Sequence, residues 1–159
     1  MRRIEHVQTD RPSVLFIDWS DGAHDRVDLS ALIETREIFA PLRDPGMFRT
    51  VAVVTYGSGV EWACGADLSA DSLEVMAEQQ RPMTGNQFGN WISEMGLSVN
   101  EAADLFGVTP NTIKAWRRAD SVPIAVQIAC HAMRRDPDLF SARFRPRHSG
   151  RPRKEPAVA

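Results

Sequence analysis

The stretch that decides the fold of the second half of the chain is VNEAADLFGVTPNTIKAWRR, residues 99–118. Its first half predicts a short helix whose inward face carries Ala102, Ala103 and Phe106. Gly107 follows, and glycine can adopt the positive φ that ends a helix without a Cβ penalty. The pattern therefore predicts a helix that stops at a tight turn.

A second helix begins directly after this turn. Thr109 is a favoured N-cap residue, and Pro110 suits the first helical position, where its missing N–H costs nothing. Ile113 and Trp116, three residues apart, predict the buried stripe of this helix. The other face carries polar residues at positions i, i+3 and i+7, which are Asn111, Lys114 and Arg118.

This segment resembles the helix-turn-helix of the lambda-repressor/Cro-like family. Ala103 falls at the helix-crossing position, Gly107 at the turn, and the three apolar positions after it are Val108, Ile113 and Trp116. The resemblance implies that the second helix enters the major groove of DNA. The alternative is an ordinary helical hairpin in a bundle that binds no DNA.

Length and composition set the broad class. A chain of 159 residues can hold one ordinary domain or two small ones. It has no apolar run long enough to span a membrane, and its start lacks the apolar core of a signal peptide. Cys64 and Cys130 are far apart and form no CxxC pair, which indicates buried thiols in a reducing compartment. We expect a cytoplasmic protein with no membrane partner.

Charge is divided unevenly along the chain. Residues 1–80 contain seven Arg against fourteen Asp and Glu, whereas residues 81–159 contain twelve Lys and Arg against seven Asp and Glu. Such asymmetry favours a basic nucleic-acid surface joined to an acidic domain that stays off DNA. Chance drift of charge between two domains is the alternative.

Residues 1–80 predict a small, mostly antiparallel sheet with a helix, an α+β domain. Strand-forming runs alternate with turn residues such as Asp21-Gly22. The expected strands are residues 3–9, 13–19, 24–29, 47–56 and 60–63, and the expected helix is residues 71–80.

Four sequence fragments in this half, FIDWSDG, VDL, LRDPGMF and WACGADLSADSL, resemble a small bacterial domain family of unassigned function. The resemblance covers about residues 5–78. Members of that family occur alone or fused in front of a helix-turn-helix, and some lie beside toxin-like genes. The resemblance implies an α+β fold and a cellular context, without an activity.

An acidic hairpin with one histidine invites a catalytic or metal-binding interpretation. Asp18, Asp21, Asp25, Asp28 and His24 offer the groups that such chemistry needs. Turns are rich in Asp for backbone reasons, so we favour solvated acids on the outer face of a hairpin. We assign no catalytic residue, metal ligand or cofactor, and we expect a protein that is not an enzyme.

Residues 81–85 read as a linker, and residues 86–145 as an all-α, lambda-repressor-like domain. Helices are expected at residues 86–95, 123–134 and 138–144, besides the two described above. In the helix at residues 123–134, Ile124, Ile128 and Ala132 are expected to face inward, with Met133 as a further candidate. Its adjacent Cys130 and His131 are expected to lie in the core and on the surface, respectively.

The last segment, residues 146–159, is rich in Pro and Arg and predicts a basic disordered tail. Its four residues 150–153, GRPR, resemble an AT-hook core, which implies that Arg151 and Arg153 enter the minor groove. A plain basic tail that binds phosphates is the alternative.

The combined interpretation is a sequence-specific DNA-binding transcriptional regulator, a repressor, that binds double-stranded DNA as a homodimer. Its recognition helix is expected to span residues 110–118. The residues expected to contact DNA are Thr109, Asn111, Thr112, Lys114, Arg117, Arg118, Arg151 and Arg153. The alternative is an antitoxin, whose N-terminal domain neutralises a toxin while its helix-turn-helix regulates the operon.

Overall fold

Two compact units follow each other in the computed structural model, which describes residues 2–147, and the chain divides between them after Arg81. The first unit contains antiparallel strands and helices, and the described part of the second contains helices alone. This confirms the α+β class, with a small antiparallel N-terminal architecture followed by helices. None of the helices among residues 2–147 has the length and apolar content needed to cross a membrane.

The first unit opens with a three-stranded antiparallel sheet in the order β1-β2-β3. Its strands are β1 (Ile4–Arg11), β2 (Val14–Trp19) and β3 (His24–Asp28). The central strand β2 buries Leu15, Ile17 and Trp19, since alternate residues of a strand point to the same face. A short helix, α1 (Ser30–Thr35), follows β3.

A 3-10 helix (Glu37–Arg43) and α2 (Pro45–Phe48) connect this sheet to a second three-stranded antiparallel sheet, in the order β4-β5-β6. The strands of the second sheet are β4 (Ala52–Val53), β5 (Gly59–Glu61) and β6 (Asp67–Ser69), and a 3-10 turn (Thr55–Gly57) separates β4 from β5. Helix α3 (Ala70–Gln80) closes the unit and buries Leu73 and Ala77. The single sheet expected from the sequence is therefore wrong, because the strands form two separate sheets.

The strand expected at residues 47–56 is also wrong over most of its length. The Asp44 side chain accepts hydrogen bonds from the backbone N–H groups of Gly46 and Met47, both at 3.2 Å, and Pro45 occupies the first helical position. This cap starts α2, which overrides the β propensity of the apolar residues that follow. Further along, the strand ends at Val53, and Tyr56, with a positive φ of 62°, lies in the turn that follows.

Asp25 corrects the expectation that the acids of the hairpin are all solvated. It faces the core side of β3, like Val27, and is only 5% exposed. Its carboxylate accepts a hydrogen bond from Nε1 of Trp19 at 2.8 Å and lies 3.2 Å from Nε of Arg81. A second guanidinium, that of Arg2, lies 3.8 Å away. The buried charge is thus hydrogen-bonded and paired, as a charge in a protein interior must be.

The other hairpin acids have separate roles. Asp21 binds Arg2, Asp18 contacts Nδ1 of His24 at 2.6 Å, and Asp28 accepts hydrogen bonds from Ser30. Within residues 2–147, no three side chains of His, Cys, Asp or Glu come together as a metal site would require.

Within residues 82–147, the second unit consists of five helices around a core that includes Phe88, Trp91 and Ile113. They are α4 (Gly85–Glu94), α5 (Val99–Phe106), α6 (Pro110–Trp116), α7 (Ile124–Arg135) and α8 (Pro137–Arg143). Residues 82–85, expected to be a linker, belong to this unit. Met83 is buried in its core, and the Met83 backbone N–H donates to the side chain of Gln127.

The inward face of α7 differs from the expected one. Ile124 and Ile128 are 76% and 53% exposed, whereas Val126, Gln127, Cys130 and His131 are buried. The expected core position of Cys130 is confirmed, and burial raises the pKa of its thiol to about 12. The expected surface position of His131 is wrong. Helix α7 carries apolar residues on two faces, one with Ile124 and Ile128 and the other with Val126 and Cys130. The apolar spacing alone therefore does not decide which face is buried.

We predict that Asp25→Ala destabilises the first unit by about 1–3 kcal/mol, because it leaves the indole N–H of Trp19 buried without its acceptor. Asp25→Asn keeps an acceptor oxygen and should cost less. The measurement is the free energy of opening from hydrogen exchange at the amides of β2. Asp67→Ala, which removes an exposed carboxylate from β6, is the control, and an equal loss in this variant would refute the prediction.

Candidate nucleic-acid interface

Helix α5 begins and ends where the sequence predicts. The Ser98 hydroxyl accepts from the Glu101 backbone N–H at 3.2 Å, and the Glu101 carboxylate accepts from the Ser98 N–H at 2.9 Å. This reciprocal capping box fixes the first turn. The helix ends at Gly107, whose φ is 66°. The Val108 N–H then donates to the Ala103 carbonyl at 2.9 Å, which turns the chain sharply toward α6.

Helix α6 starts with the expected cap. The Thr109 hydroxyl accepts from the Thr112 backbone N–H at 3.3 Å, and Pro110 is the first helical residue. The hydroxyls of Thr109 and Thr112 also lie 3.0 Å apart and share a hydrogen bond. Both threonines, which the sequence suggested as DNA contacts, therefore already serve the start of the helix.

The buried side of α6 is anchored at its centre. Ile113 is fully buried, and the small residues Ala102 and Ala103 of α5 are buried with it. Trp116 is half-buried rather than enclosed, and its ring packs edge-on against Phe88 and Phe106 at centroid distances of 6.0 and 6.2 Å. The helix is thus held by one aliphatic anchor and two aromatic contacts.

The far end of α6 touches the backbone at the start of α4. The Gly85 N–H donates to the Ala119 carbonyl at 3.0 Å. A Cβ at Gly85 would lie 2.5 Å from the carbonyl oxygen of Trp116 and 2.7 Å from that of Ala119. Gly85 therefore permits a close approach of two backbones. Sequence reasoning missed this residue, because it assigned Gly85 to the linker before the expected helix at residues 86–95.

The exposed side of α6 presents a polar row. Asn111 and Lys114 are exposed on the helix, and Arg117 and Arg118 are exposed just beyond it, because α6 ends at Trp116 and not at residue 118. Within residues 2–147, these cationic groups form no ion pair. We call these four residues the polar row. The structure brings them together at one end of the second unit, where they can meet an anionic surface.

The chain beyond α8 returns to α5. Arg147 makes a two-pronged ion pair with Asp104, at 2.6 and 2.8 Å, and its backbone N–H donates to the Glu101 carboxylate at 3.0 Å. The Arg147 guanidinium lowers the pKa of the Asp104 carboxyl. Residues 146 and 147, expected to belong to a disordered tail, are therefore attached to α5. Arg151 and Arg153 lie outside the described residues.

Comparison with known proteins identifies the first unit only. Residues 4–78 match the family described as "Protein of unknown function (DUF2442)". This confirms the resemblance of that half to a domain family of unassigned function, and it supplies no activity. No curated protein matches the chain.

Two solved structures are similar to parts of the chain. One is a "putative DNA binding protein" of Nitrosomonas europaea, with 24% identity, a TM-score of 0.48, and coverage of 84% of this chain and 87% of that one. The other is a protein of unknown function from Rhodospirillum rubrum, with 19% identity, a TM-score of 0.38, and coverage of 47% of this chain and 87% of that one. Likeness at this level carries no argument about function.

We predict opposite effects for two glycine substitutions in α4. Gly85→Ala should destabilise the second unit by about 1–3 kcal/mol, because its Cβ would push against two backbone carbonyls. Gly89→Ala is the matched control, since its Cβ would meet only the flexible Arg117 side chain, at 3.4 Å. Alanine favours the helix there by up to about 1 kcal/mol. Hydrogen exchange at the amides of α4 and α6 measures both, and equal effects would contradict the packing described above.

Proposed function

We propose that this protein is a sequence-specific DNA-binding transcriptional regulator, a repressor, that reads the major groove with α6 as the second helix of a lambda-repressor-like helix-turn-helix. The observation that carries the proposal is the polar row: exposed side chains on α6 and just beyond its end, which form no ion pair among residues 2–147, on a helix anchored from behind by Ile113. A helix displayed in this way has the form that major-groove recognition requires.

Within the polar row, the chemistry divides into reading and positioning. Asn111 can form paired hydrogen bonds with adenine, and Lys114 can donate to the acceptors of guanine. Arg117 and Arg118, beyond the end of the helix, are suited to phosphates, which fix orientation without reading sequence. Thr109 and Thr112 support this arrangement by capping the helix, and the second lone pairs of their hydroxyls remain available to a donor.

The distribution of charge supports the same assignment. Residues 1–80 carry a net charge of −7, which repels phosphate, whereas residues 81–159 carry +5. DNA affinity should therefore come from the second unit and the basic tail. The proposed role is non-enzymatic and needs no cofactor, and the protein acts in the cytoplasm.

A homodimer completes the proposal, because one such unit reads only a few base pairs and a two-fold protein matches a two-fold site. The antitoxin alternative, in which the first unit binds a toxin, shares the same DNA-binding step. Selection of bound sequences from random DNA by the purified full chain tests that shared step. Enrichment of one site, with two-fold symmetry, is expected; recovery of random sequence would overturn sequence-specific recognition.

We predict that Asn111→Ala or Lys114→Ala weakens binding to the selected site by about 1–3 kcal/mol, and binding to random DNA far less. Each change removes a proposed contact to a base edge and leaves the contacts to phosphates in place. Gln8→Ala removes an exposed amide from β1 and should change neither affinity. The measurement is titration of selected and random duplexes at one salt concentration. An equal loss on both duplexes would show that these side chains do not read bases.

We predict a different pattern when residues 148–159 are removed, a cut that preserves the contact of Arg147 with α5. Selected and random DNA should lose affinity by similar factors. The slope of log affinity against log salt should flatten by about 0.9 for each lost phosphate contact. Titrations at several salt concentrations measure both quantities. If this truncation abolished the preference for the selected site, the tail and not α6 would be the reader.

A further inference from the structure

The first unit contains a cavity that the proposed DNA-binding role does not use. It has a volume of about 240 Å³ and lies between the β1–β2 turn and the segment that runs from the 3-10 helix into α2. Leu42 and Phe48, which are 2% and 3% exposed, contribute apolar surface to it, together with Pro12 and Pro45. This volume lies below the range of about 300–1,000 Å³ that is usual for pockets that bind drug-sized ligands and cofactors, so the cavity suits a smaller ligand.

Three arginines, Arg11, Arg43 and Arg49, line this cavity, which we call the arginine cavity. They come from separate parts of the fold and are three of only seven arginines in residues 1–80, which carry a net charge of −7. One acid, Asp10, also lines the cavity. The lining therefore carries more positive than negative groups, whereas the unit as a whole has a strongly negative net charge.

The internal partners leave part of this positive charge available. Nε of Arg43 lies 3.4 Å from the Glu34 carboxylate. Arg11 lies 3.7 Å from Asp10, and Asp10 is itself bound more closely by Arg26, at 3.1 Å. The side chain of Arg49 makes no hydrogen bond or ion pair within residues 2–147, and only its backbone N–H is bonded, to the Pro45 carbonyl at 3.2 Å. An anion in the cavity would find one uncommitted guanidinium and another that is only weakly paired.

We propose that the arginine cavity binds a small organic anion, with a carboxylate or phosphate group on a compact apolar body. The guanidinium of Arg49, together with that of Arg11, would hold the anionic group, because guanidinium donors match the geometry of carboxylate and phosphate oxygens. The apolar body would cover Leu42, Phe48 and the two prolines. This gives the first unit a ligand-binding function that is independent of DNA recognition.

A neighbouring tryptophan supplies a reporter for occupancy. Nε1 of Trp62 donates to the carbonyl oxygen of Phe48 at 3.0 Å, and the two rings stack with centroids 6.2 Å apart. A ligand seated against Phe48 should therefore shift the indole N–H resonance of Trp62. The indoles of Trp91 and Trp116, in the second unit, provide internal references.

The experiment titrates the ¹⁵N-labelled full chain, in phosphate-free buffer of low ionic strength, with benzoate and phenyl phosphate and with the neutral analogues benzamide and phenol. We expect one or both anions to shift Trp62 and the amides of residues 11–13 and 46–49, with Trp91 and Trp116 unmoved. The anion that binds more tightly identifies the group as carboxylate or phosphate. Absence of a shift with both anions, or equal shifts with the neutral analogues, would overturn the proposal.

Variants locate the binding. Arg49→Gln should weaken the affinity about tenfold, because a charge-assisted hydrogen bond is lost. Arg11→Gln should weaken it as well, which provides a second measurement should the first variant fail to fold. Arg36→Gln removes another exposed arginine of the same unit that does not line the cavity, and should leave the affinity unchanged. An equal loss in this control would reduce the effect to general electrostatics and overturn the assigned site.

Discussion

At Gly85, the backbone of α4 packs directly against the backbone at the end of α6, and the orientation of α6 depends on that contact. The carbonyls of Trp116 and Ala119 occupy the space that a Cβ at Gly85 would fill. This close approach fixes the end of α6 from one side, while Ile113 fixes its centre from the core. A short helix cannot hold its own orientation, since helices of this length are marginal without tertiary contacts. The exposed side chains of α6 therefore have a defined place because Ile113 is held in the core and because α4 begins with glycine.

Local signals predicted the turn between α5 and α6 well, although α6 ends two residues earlier than expected. The positive φ at Gly107 and the cap at Thr109 each depend on residues within a few positions of one another, and each appears as expected. Longer-range features were not predictable in this way. The α7 face was chosen wrongly at Ile128, because the choice depends on which neighbours cover the helix. The attachment of Arg147 to Asp104 joins residues 43 apart in sequence.

The first unit shows the same division between local and distant effects. Its hairpin and its last helix follow from turn residues and apolar spacing. The burial of Asp25 depends on Trp19, Arg2 and Arg81, which only the complete fold brings together. The arginine cavity likewise joins residues from two distant segments, so no local sequence pattern could predict it. In the proposed DNA-binding face, the residues of the polar row were all found from sequence, because they lie within eight consecutive positions.

The two cysteines differ in a way that is useful in the laboratory. Cys130 is completely buried, and burial raises its pKa to about 12, so almost none of it is thiolate at neutral pH. Cys64, in the first unit, is only half-buried. Because the thiolate is the form that reacts, a maleimide dye should couple to native protein at Cys64 and spare Cys130 until the helical unit unfolds. The natural chain can thus carry one fluorophore, at a known place, without any cysteine being engineered.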